Sequence, residues 1–240
     1  MSGAAPKVAM VLAAGLGLRL RPITATRPKP LVEVAGRSIL DRVLDGLTGA
    51  GVERCVVNTH YLGHQIDAHL AARPTPPVDL SHEEELLDTG GGINRALDAL
   101  GPDPFFAVNA DILWDEGPGE AALSRLGQAF DAAAMDALLL LVPRERAVGY
   151  DGVGDFRLGA DGCLARRGPA ASAPFVFTGL QVLRPELFDG APDGAFSLNL
   201  LYDRAIAAGR LFGLEHTGRW FHIGTPAGLD LAEAALGAEG

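Results

Sequence analysis

The chain reads as an α/β protein: a mostly parallel sheet covered by helices on both faces. Two observations carry this. Up to Pro143, short apolar runs alternate with stretches of helical period, the order expected of a parallel sheet buried on both sides. The first such run, residues 8–14, is apolar throughout and ends in glycines, as a buried strand does. With 240 residues, 48% of them hydrophobic and 21% charged, the chain is long and apolar enough for one large core.

The elements follow in order. Ser38 caps a helix whose Ile39, Leu40, Val43, Leu44 and Leu47 share one face, with Asp41, Arg42 and Asp45 outside it. Gly51 stands where that helix stops. Residues 55–59 form the next strand, and 62–72 a second helix with Leu62, Ile66 and Leu70 four apart. A short strand at 78–81 and a short helix at 93–100 come next, then a strand at 105–110, a helix over 120–133 and a strand at 137–142. The pattern changes after Pro143. Residues 155–158 and 163–166 flank Ala160-Asp161-Gly162 as a hairpin. Strands at 175–183 and 211–216 enclose a helix at 198–208, and Trp220 to Ile223 precede a last helix opening at Pro226. No repeat or linker interrupts the series, so one domain over 1–240 is expected.

Composition narrows the function. The net charge of −10 would repel a nucleic-acid backbone, and no basic patch offsets it. No apolar run is long enough to span a membrane, and the opening MSGAAPK lacks the apolar stretch of a secretory leader, so a cytoplasmic protein is expected. Cys55 and Cys163 stand apart and form no metal pair. An anionic substrate must therefore be held by a few positioned cations.

Those cations cluster in one place, the segment LAAGLGLRLRPITATRPKPL from Leu12 to Leu31. A strand runs into Gly15-Leu16-Gly17, where backbone amides can approach a ligand at the strand's carboxyl end. The dinucleotide fingerprint needs a glycine where Leu20 stands, and the P-loop ending is absent. Arg19 and Arg21 follow the glycines instead. Lys29 lies between Pro28 and Pro30, which restrict its backbone and aim its amine. Together these suggest recognition of a polyphosphate; a solvated loop with scattered charges is the plainer alternative. Asp111 ends the apolar strand FFAVNAD, where a carboxylate can hold magnesium against phosphate oxygens or simply cap a turn.

LAAGLGLRLRPIT…RPKPL resembles the signature of the sugar-1-phosphate nucleotidylyltransferases, and the likeness runs on through the Thr89–Ile93 glycines, Asn109-Ala110-Asp111, Phe177-Thr178-Gly179 and WFHIGTP. Within that family the chain most resembles the short bacterial N-acetylmuramate-1-phosphate uridylyltransferases of cell-wall recycling, which share the LDTGGGI-like and GDFRL-like segments. The resemblance implies a Rossmann-like nucleotide-diphospho-sugar transferase fold with no C-terminal β-helix domain. It implies that Arg19, Lys29 and Asp111 are catalytic, Asp111 holding Mg2+. It places Leu12, Ala13, Ala14, Gly15, Gly17, Glu83, Thr89 and Gly90 around the nucleotide, and Asn109, Gly154, Asp155, Thr178 and Gly179 near the sugar. The substrates implied are a nucleoside triphosphate and a sugar-1-phosphate, with no nucleic acid or membrane partner, in a monomer or small homo-oligomer.

Two departures stand out. The family's Glu-Lys-Pro sugar element is not visible; Arg166-Arg167-Gly168-Pro169 occupies roughly its place. The family's second metal carboxylate, in Trp-x-Asp-x-Gly-Thr, is replaced by His222 in Trp220-Phe221-His222-Ile223-Gly224-Thr225. His222 then binds the metal, contacts phosphate as a cation, or marks an impaired site; imidazole suits manganese better than magnesium. The rival readings are a nicotinamide oxidoreductase, which Leu20 and Thr59-His60 oppose, a mannose-1-phosphate guanylyltransferase, and an inactive binding subunit, which should have lost Arg19, Lys29 or Asp111. His60, His64, His69, His82 and His216 show no metal spacing and read as surface or core residues.

Overall fold

The computed structural model describes residues 5–237. Its strands are β1 (Val8–Leu12), β2 (Glu33–Val34), β3 (Arg37–Ser38), β4 (Arg54–Thr59), β5 (Val78–His82), β6 (Phe105–Asn109), β7 (Leu113–Trp114), β8 (Ala137–Pro143), β9 (Ala147–Val148), β10 (Phe156–Leu158), β11 (Leu164–Arg166), β12 (Phe175–Leu183), β13 (Leu211–Glu215) and β14 (Trp220–Phe221). The helices are α1 (Ile39–Gly49), α2 (Gly63–Ala71), α3 (Asp88–Leu100), α4 (Ala122–Ala129), α5 (Asn199–Ala207) and α6 (Pro226–Gly237).

Among the described residues nine strands make the main sheet, in the order β11-β10-β12-β6-β1-β4-β5, with β8 on the other edge of β12 and β13 beyond it. The run β6-β1-β4-β5 is parallel, and so is the pair β8–β13, while β12 runs antiparallel to both β6 and β8. The carboxyl ends of β1, β4, β5 and β6 therefore open on one edge, where a parallel α/β sheet binds its ligands.

Alternation within the strands explains the two faces. Ala9 and Val11 of β1 join Leu40, Val43, Leu44 and Leu47 of α1 and Leu123 and Leu126 of α4 in one core. Met10 points the other way, to Ile93 and Ala96 of α3 and Leu201 and Tyr202 of α5. Each fully buried leucine here is worth about 2–3 kcal/mol. A third cluster, with Leu20, Val32, Ile39, Phe221 and Ile223, anchors the segment after β1 to the chain's last strand and helix. Ser38 caps α1 as expected, its Oγ accepting from the Asp41 amide at 3.0 Å.

The structure corrects the expected elements in three places. α3 begins at Asp88, not at residue 93, so the three glycines lie inside its first turns. They are packing positions: a Cβ on Gly90 would stand 2.3 Å from the Phe196 ring, and one on Gly91 the same distance from the Gly194 carbonyl. α4 is shorter than 120–133 because Glu116 accepts from the Ala122 amide at its start and Phe130 turns extended at its end. The two-residue strands β2, β3, β7, β9 and β14 are too short to leave a period in the sequence.

Candidate active site

A cleft of about 560 Å³ opens at the carboxyl ends of β1, β4, β5 and β6, lined by Leu12, Ala13, Ala14, Gly15, Gly17, Leu18, Arg19, Lys29, Asn58, Glu83, Thr89, Asn109, Asp111 and Gly224 among others. That is the size of a small-molecule site. Gly17 takes φ +62, a left-handed conformation that favours glycine, and a Cβ there would press on Thr24 and Lys29 at 3.1–3.2 Å. Its carbonyl accepts from Thr24 Oγ1 at 2.7 Å and from the Leu20 amide at 3.1 Å, which winds the loop into a single turn carrying Arg19. Gly15 faces open space.

Lys29, in a turn flanked by its two prolines, is only 8% exposed, and its Nζ donates to Asp111 Oδ2 at 2.9 Å across 82 residues of sequence. A buried ammonium held by one half-exposed carboxylate is aimed rather than mobile. Arg19 is exposed and lines the cleft. Arg21 is exposed too but does not line it, so the sequence's three cations reduce to two here.

His222 is not among the cleft's lining residues and stands beside Gly224, which is. Its ring stacks on Trp220 at 5.8 Å and meets Tyr150 edge-on, also at 5.8 Å. Gly224 must be glycine beside it: a Cβ would stand 2.6 Å from His222 Nε2 and 3.4 Å from Arg19 Cζ. Burial holds the imidazole below its ordinary pKa, Arg19 and Lys29 lower it further, and Asp111 opposes them.

Of the nucleotide residues implied by the resemblance, Leu12 to Gly15, Gly17, Glu83 and Thr89 line the cleft. Gly90 is not among its lining residues; its amide donates to the Phe196 carbonyl at 2.9 Å, and that of Gly91 to the same oxygen at 3.1 Å. The start of α3 therefore spends these amides on the fold. Glu83 is buried: Oε1 accepts from Asn58 Nδ2 at 2.7 Å and Oε2 from the Leu87 amide at 2.9 Å. Its neighbours Glu84 and Glu85 are exposed.

The sugar-end residues divide. Asn109 lines the cleft, and Gly179, at φ +90, lies against it, with room for no Cβ within 2.9 Å of Asn109 Nδ2. Gly154, at φ +81, backs onto the Ala173 carbonyl. Asp155 Oδ2 accepts from the Phe177 amide at 2.9 Å, and burial raises its pKa. Thr178 turns inward, its Oγ1 donating to the Leu140 carbonyl at 2.8 Å, so its hydroxyl braces β12 at a bulge. Arg166 clamps β11 to α5, with Nε donating to Asp203 at 2.7 Å and its guanidinium over the Phe156 ring; Arg167 donates to the Ala170 carbonyl. Sequence reasoning missed Asn58, which lines the cleft, and Tyr150, whose ring meets His222. Asn58 is the next-to-last residue of β4, as Asn109 is the last of β6, and that position near a strand end is the one signal the sequence offers.

Among the described residues no three His, Cys, Asp or Glu side chains gather to hold a metal by themselves. Asp111 offers one carboxylate to an ion that takes most of its ligands from substrate phosphates and water, as magnesium commonly does, whereas an imidazole such as that of His222 suits manganese better.

The profile of the Nucleotidyl transferase family matches residues 8–157. The chain is 44% identical over 237 residues to N-acetylmuramate alpha-1-phosphate uridylyltransferase of Caulobacter vibrioides, covering 97% of this chain and 98% of that one. It is 35% identical to the protein of the same name from Neisseria meningitidis serogroup B, over 96% and 98%. Mannose-1-phosphate guanylyltransferase catalytic subunit beta of Danio rerio is 36% identical over 112 residues, 45% of this chain and 31% of that one. In fold, UDP-glucose pyrophosphorylase complexed with UDP-glucose superimposes with a TM-score of 0.80 at 16% identity, covering 98% and 99% of the two chains. HddC from Yersinia pseudotuberculosis with GMP-PN gives 0.77 at 22%, over 96% and 99%.

This chain belongs to the Nucleotidyl transferase family. It is a nucleotidyltransferase enzyme with the nucleotide-diphospho-sugar transferase fold, and its reaction is nucleotidyl transfer to a sugar-1-phosphate. Members of the family generally work with a divalent metal. Among the described residues no helix is long and apolar enough to cross a membrane.

Proposed function

We propose that the enzyme transfers uridylyl from UTP to N-acetylmuramate 1-phosphate, giving UDP-N-acetylmuramate and pyrophosphate, in cytoplasmic cell-wall recycling. The observation that carries the substrate pair is the 44% identity over 97% of the chain to a protein of that activity by name. The geometry that carries the reaction type is Lys29 Nζ on Asp111 Oδ2 at 2.9 Å beside Arg19 in one cleft.

An oxygen of the sugar phosphate attacks the α-phosphorus as the bond to the β-phosphate's bridging oxygen breaks, and pyrophosphate departs with that electron pair. The attacking oxygen is already anionic, so no enzyme nucleophile or general base is required. Arg19 and the Gly15–Gly17 backbone neutralise charge on the triphosphate. Lys29 orients the incoming phosphate. Asp111, with His222 beside it, would hold Mg2+ or Mn2+, which supplies charge neutralisation on the phosphates.

A pyrophosphate-release assay across four nucleoside triphosphates and several sugar-1-phosphates tests this. UTP with N-acetylmuramate 1-phosphate should turn over best. A clear preference for GTP with mannose 1-phosphate would move the enzyme to the guanylyltransferase reading, which the shorter 112-residue match supports.

A further inference from the structure

A carboxylate and an imidazole make different demands on a metal site. A carboxylate offers two equivalent oxygens with several lone pairs, so it tolerates some rotation. A neutral imidazole offers a single lone pair, in the ring plane, on the nitrogen that carries no hydrogen. His222 can serve a metal only if both its tautomer and its ring plane are fixed.

The chain around His222 supplies such a frame. β9 and β14 run parallel, Trp220 opposite Ala147 and Phe221 opposite Val148, and the His222 amide donates to the Val148 carbonyl at 2.9 Å. The two strands end side by side, which brings Tyr150 up against His222. The Trp220 ring lies within 11° of parallel to the imidazole and is itself anchored, its Nε1 donating to the Thr178 carbonyl at 2.8 Å. Tyr150 stands edge-on to both, at 68° to His222 and 65° to Trp220. These are favourable aromatic arrangements. The Tyr150 hydroxyl accepts from the Gly154 amide at 3.2 Å, which ties the far end of the ring to the following loop.

The rim of the imidazole is also fixed. The Gly149 backbone carbonyl favours a hydrogen on the ring. Nε2 is the nitrogen that faces Gly224: the space a side chain would fill there has Nε2 on one side and Arg19 Cζ on the other. Arg19 and Gly224 both line the cleft, so glycine leaves Nε2 open toward it. Trp220 is buried in the main core, and its loss would damage the fold as a whole. Tyr150 is half-buried and is the member of the frame that can be changed by itself.

We propose that Tyr150 is the positioning residue of His222: by closing the open side of the Trp220–imidazole stack it holds the ring with its hydrogen on Nδ1, toward the Gly149 carbonyl, and its Nε2 lone pair toward the cleft. This rests on the metal role given to His222 above and names what lets an imidazole stand where a carboxylate is expected.

The test begins with nitrogen-15 NMR of histidine-labelled, metal-free protein at a pH where the ring is neutral. The His222 signals are those missing from His222→Asp. Wild type should carry the hydrogen on Nδ1. Tyr150→Leu should move toward a mixture of tautomers, whereas Tyr150→Phe, which keeps the ring edge, should resemble wild type. Manganese affinity in the UTP complex, read by electron paramagnetic resonance, should fall roughly tenfold in Tyr150→Leu. It should fall no further when Tyr150→Leu is added to His222→Asp. A hydrogen on Nε2 in wild type overturns the proposal without any variant, so a Tyr150→Leu protein that fails to fold does not protect it. A folded Tyr150→Leu that keeps the single tautomer also overturns it. So does an equal loss of manganese affinity in the His222→Asp background, which would make Tyr150 a residue of the fold only. If His222→Ala leaves manganese affinity unchanged, the metal role of His222 is contradicted instead, and the tautomer in metal-free protein still decides whether Tyr150 holds the ring.

Discussion

The two sides of the cleft are built differently. The phosphate side is nearly one continuous piece of chain, Gly15 to Pro30, closed by a single distant partner, Asp111. Arg19 and Asp111 are partly exposed there, while Lys29 is buried. The base side is assembled from the ends of β1, β4 and β5 and the first turns of α3, and most of its polar groups bond to one another. The comparison teaches a difference in construction: the cations sit on a local loop, whereas the Asn58–Glu83 side is held by interlocked, buried groups whose positions the sheet determines.

The largest way to break the phosphate side is Arg19→Ala. Turnover should fall by roughly 10²–10⁴-fold with Tm nearly unchanged, since Arg19 is exposed and its proposed role is to neutralise transition-state charge. Near-normal turnover in a folded variant would remove Arg19 from the mechanism.

Lys29→Ala comes next and separates the substrates. The sugar-phosphate KM should rise roughly ten- to a hundredfold, with triphosphate affinity measured by calorimetry much less affected. A loss confined to triphosphate binding would reassign Lys29 to the other substrate.

His222 sharpens the comparison, because there a carboxylate expected from the family's pattern is an imidazole. His222→Ala should lower manganese affinity in the UTP complex, read by electron paramagnetic resonance, by roughly tenfold. Wild type should work with manganese at least as well as with magnesium, and His222→Asp should shift the preference toward magnesium. Because burial, Arg19 and Lys29 depress its pKa, the ring stays neutral at pH 7, and the proposed ligation should persist below the ordinary value near 6.5. Activity should fall only on the acid side of that value. Full activity of His222→Ala in both metals would leave the ring without a metal or phosphate role.

The smallest effect lies behind the site. His216 is wholly buried beside the backbone of Arg219 and Asp115, and burial holds its pKa below 6.5. The unfolded chain therefore takes up the proton first, and stability drops as pH falls from about 6.5, by at most about 1.4 kcal/mol per unit for one group. His216→Phe should flatten the acid-side slope of Tm between about pH 6.5 and 5. An unchanged slope would assign the acid loss to other groups.

What was legible in the sequence follows the same division. Residues 12–31 announce their chemistry because their glycines, prolines and cations sit within one segment, and the alternation up to Pro143 announces the parallel sheet. Asn58 and Glu83 bond across 25 residues, and Asn58 reaches Ala13 across 45, distances at which a single sequence carries no signal of contact. The three glycines of α3 looked like a loop because glycine is a poor helix former, but close packing against Phe196, Gly194 and the Asn58–Glu83 pair outweighs that propensity. Thr178 matched a sugar position in order along the chain, yet a bulge in β12 turns its hydroxyl to Leu140, an orientation spacing alone does not encode.

The central claim, direct displacement on a triphosphate held apart from the second substrate, is tested most directly by exchange of labelled pyrophosphate into UTP. With N-acetylmuramate 1-phosphate present, label should enter UTP through the reversible reaction. Without any sugar phosphate, no label should enter, because nothing on the enzyme accepts the uridylyl group. Exchange in the absence of sugar phosphate would mean a covalent uridylyl-enzyme and would contradict the account; so would no exchange when the sugar phosphate is present.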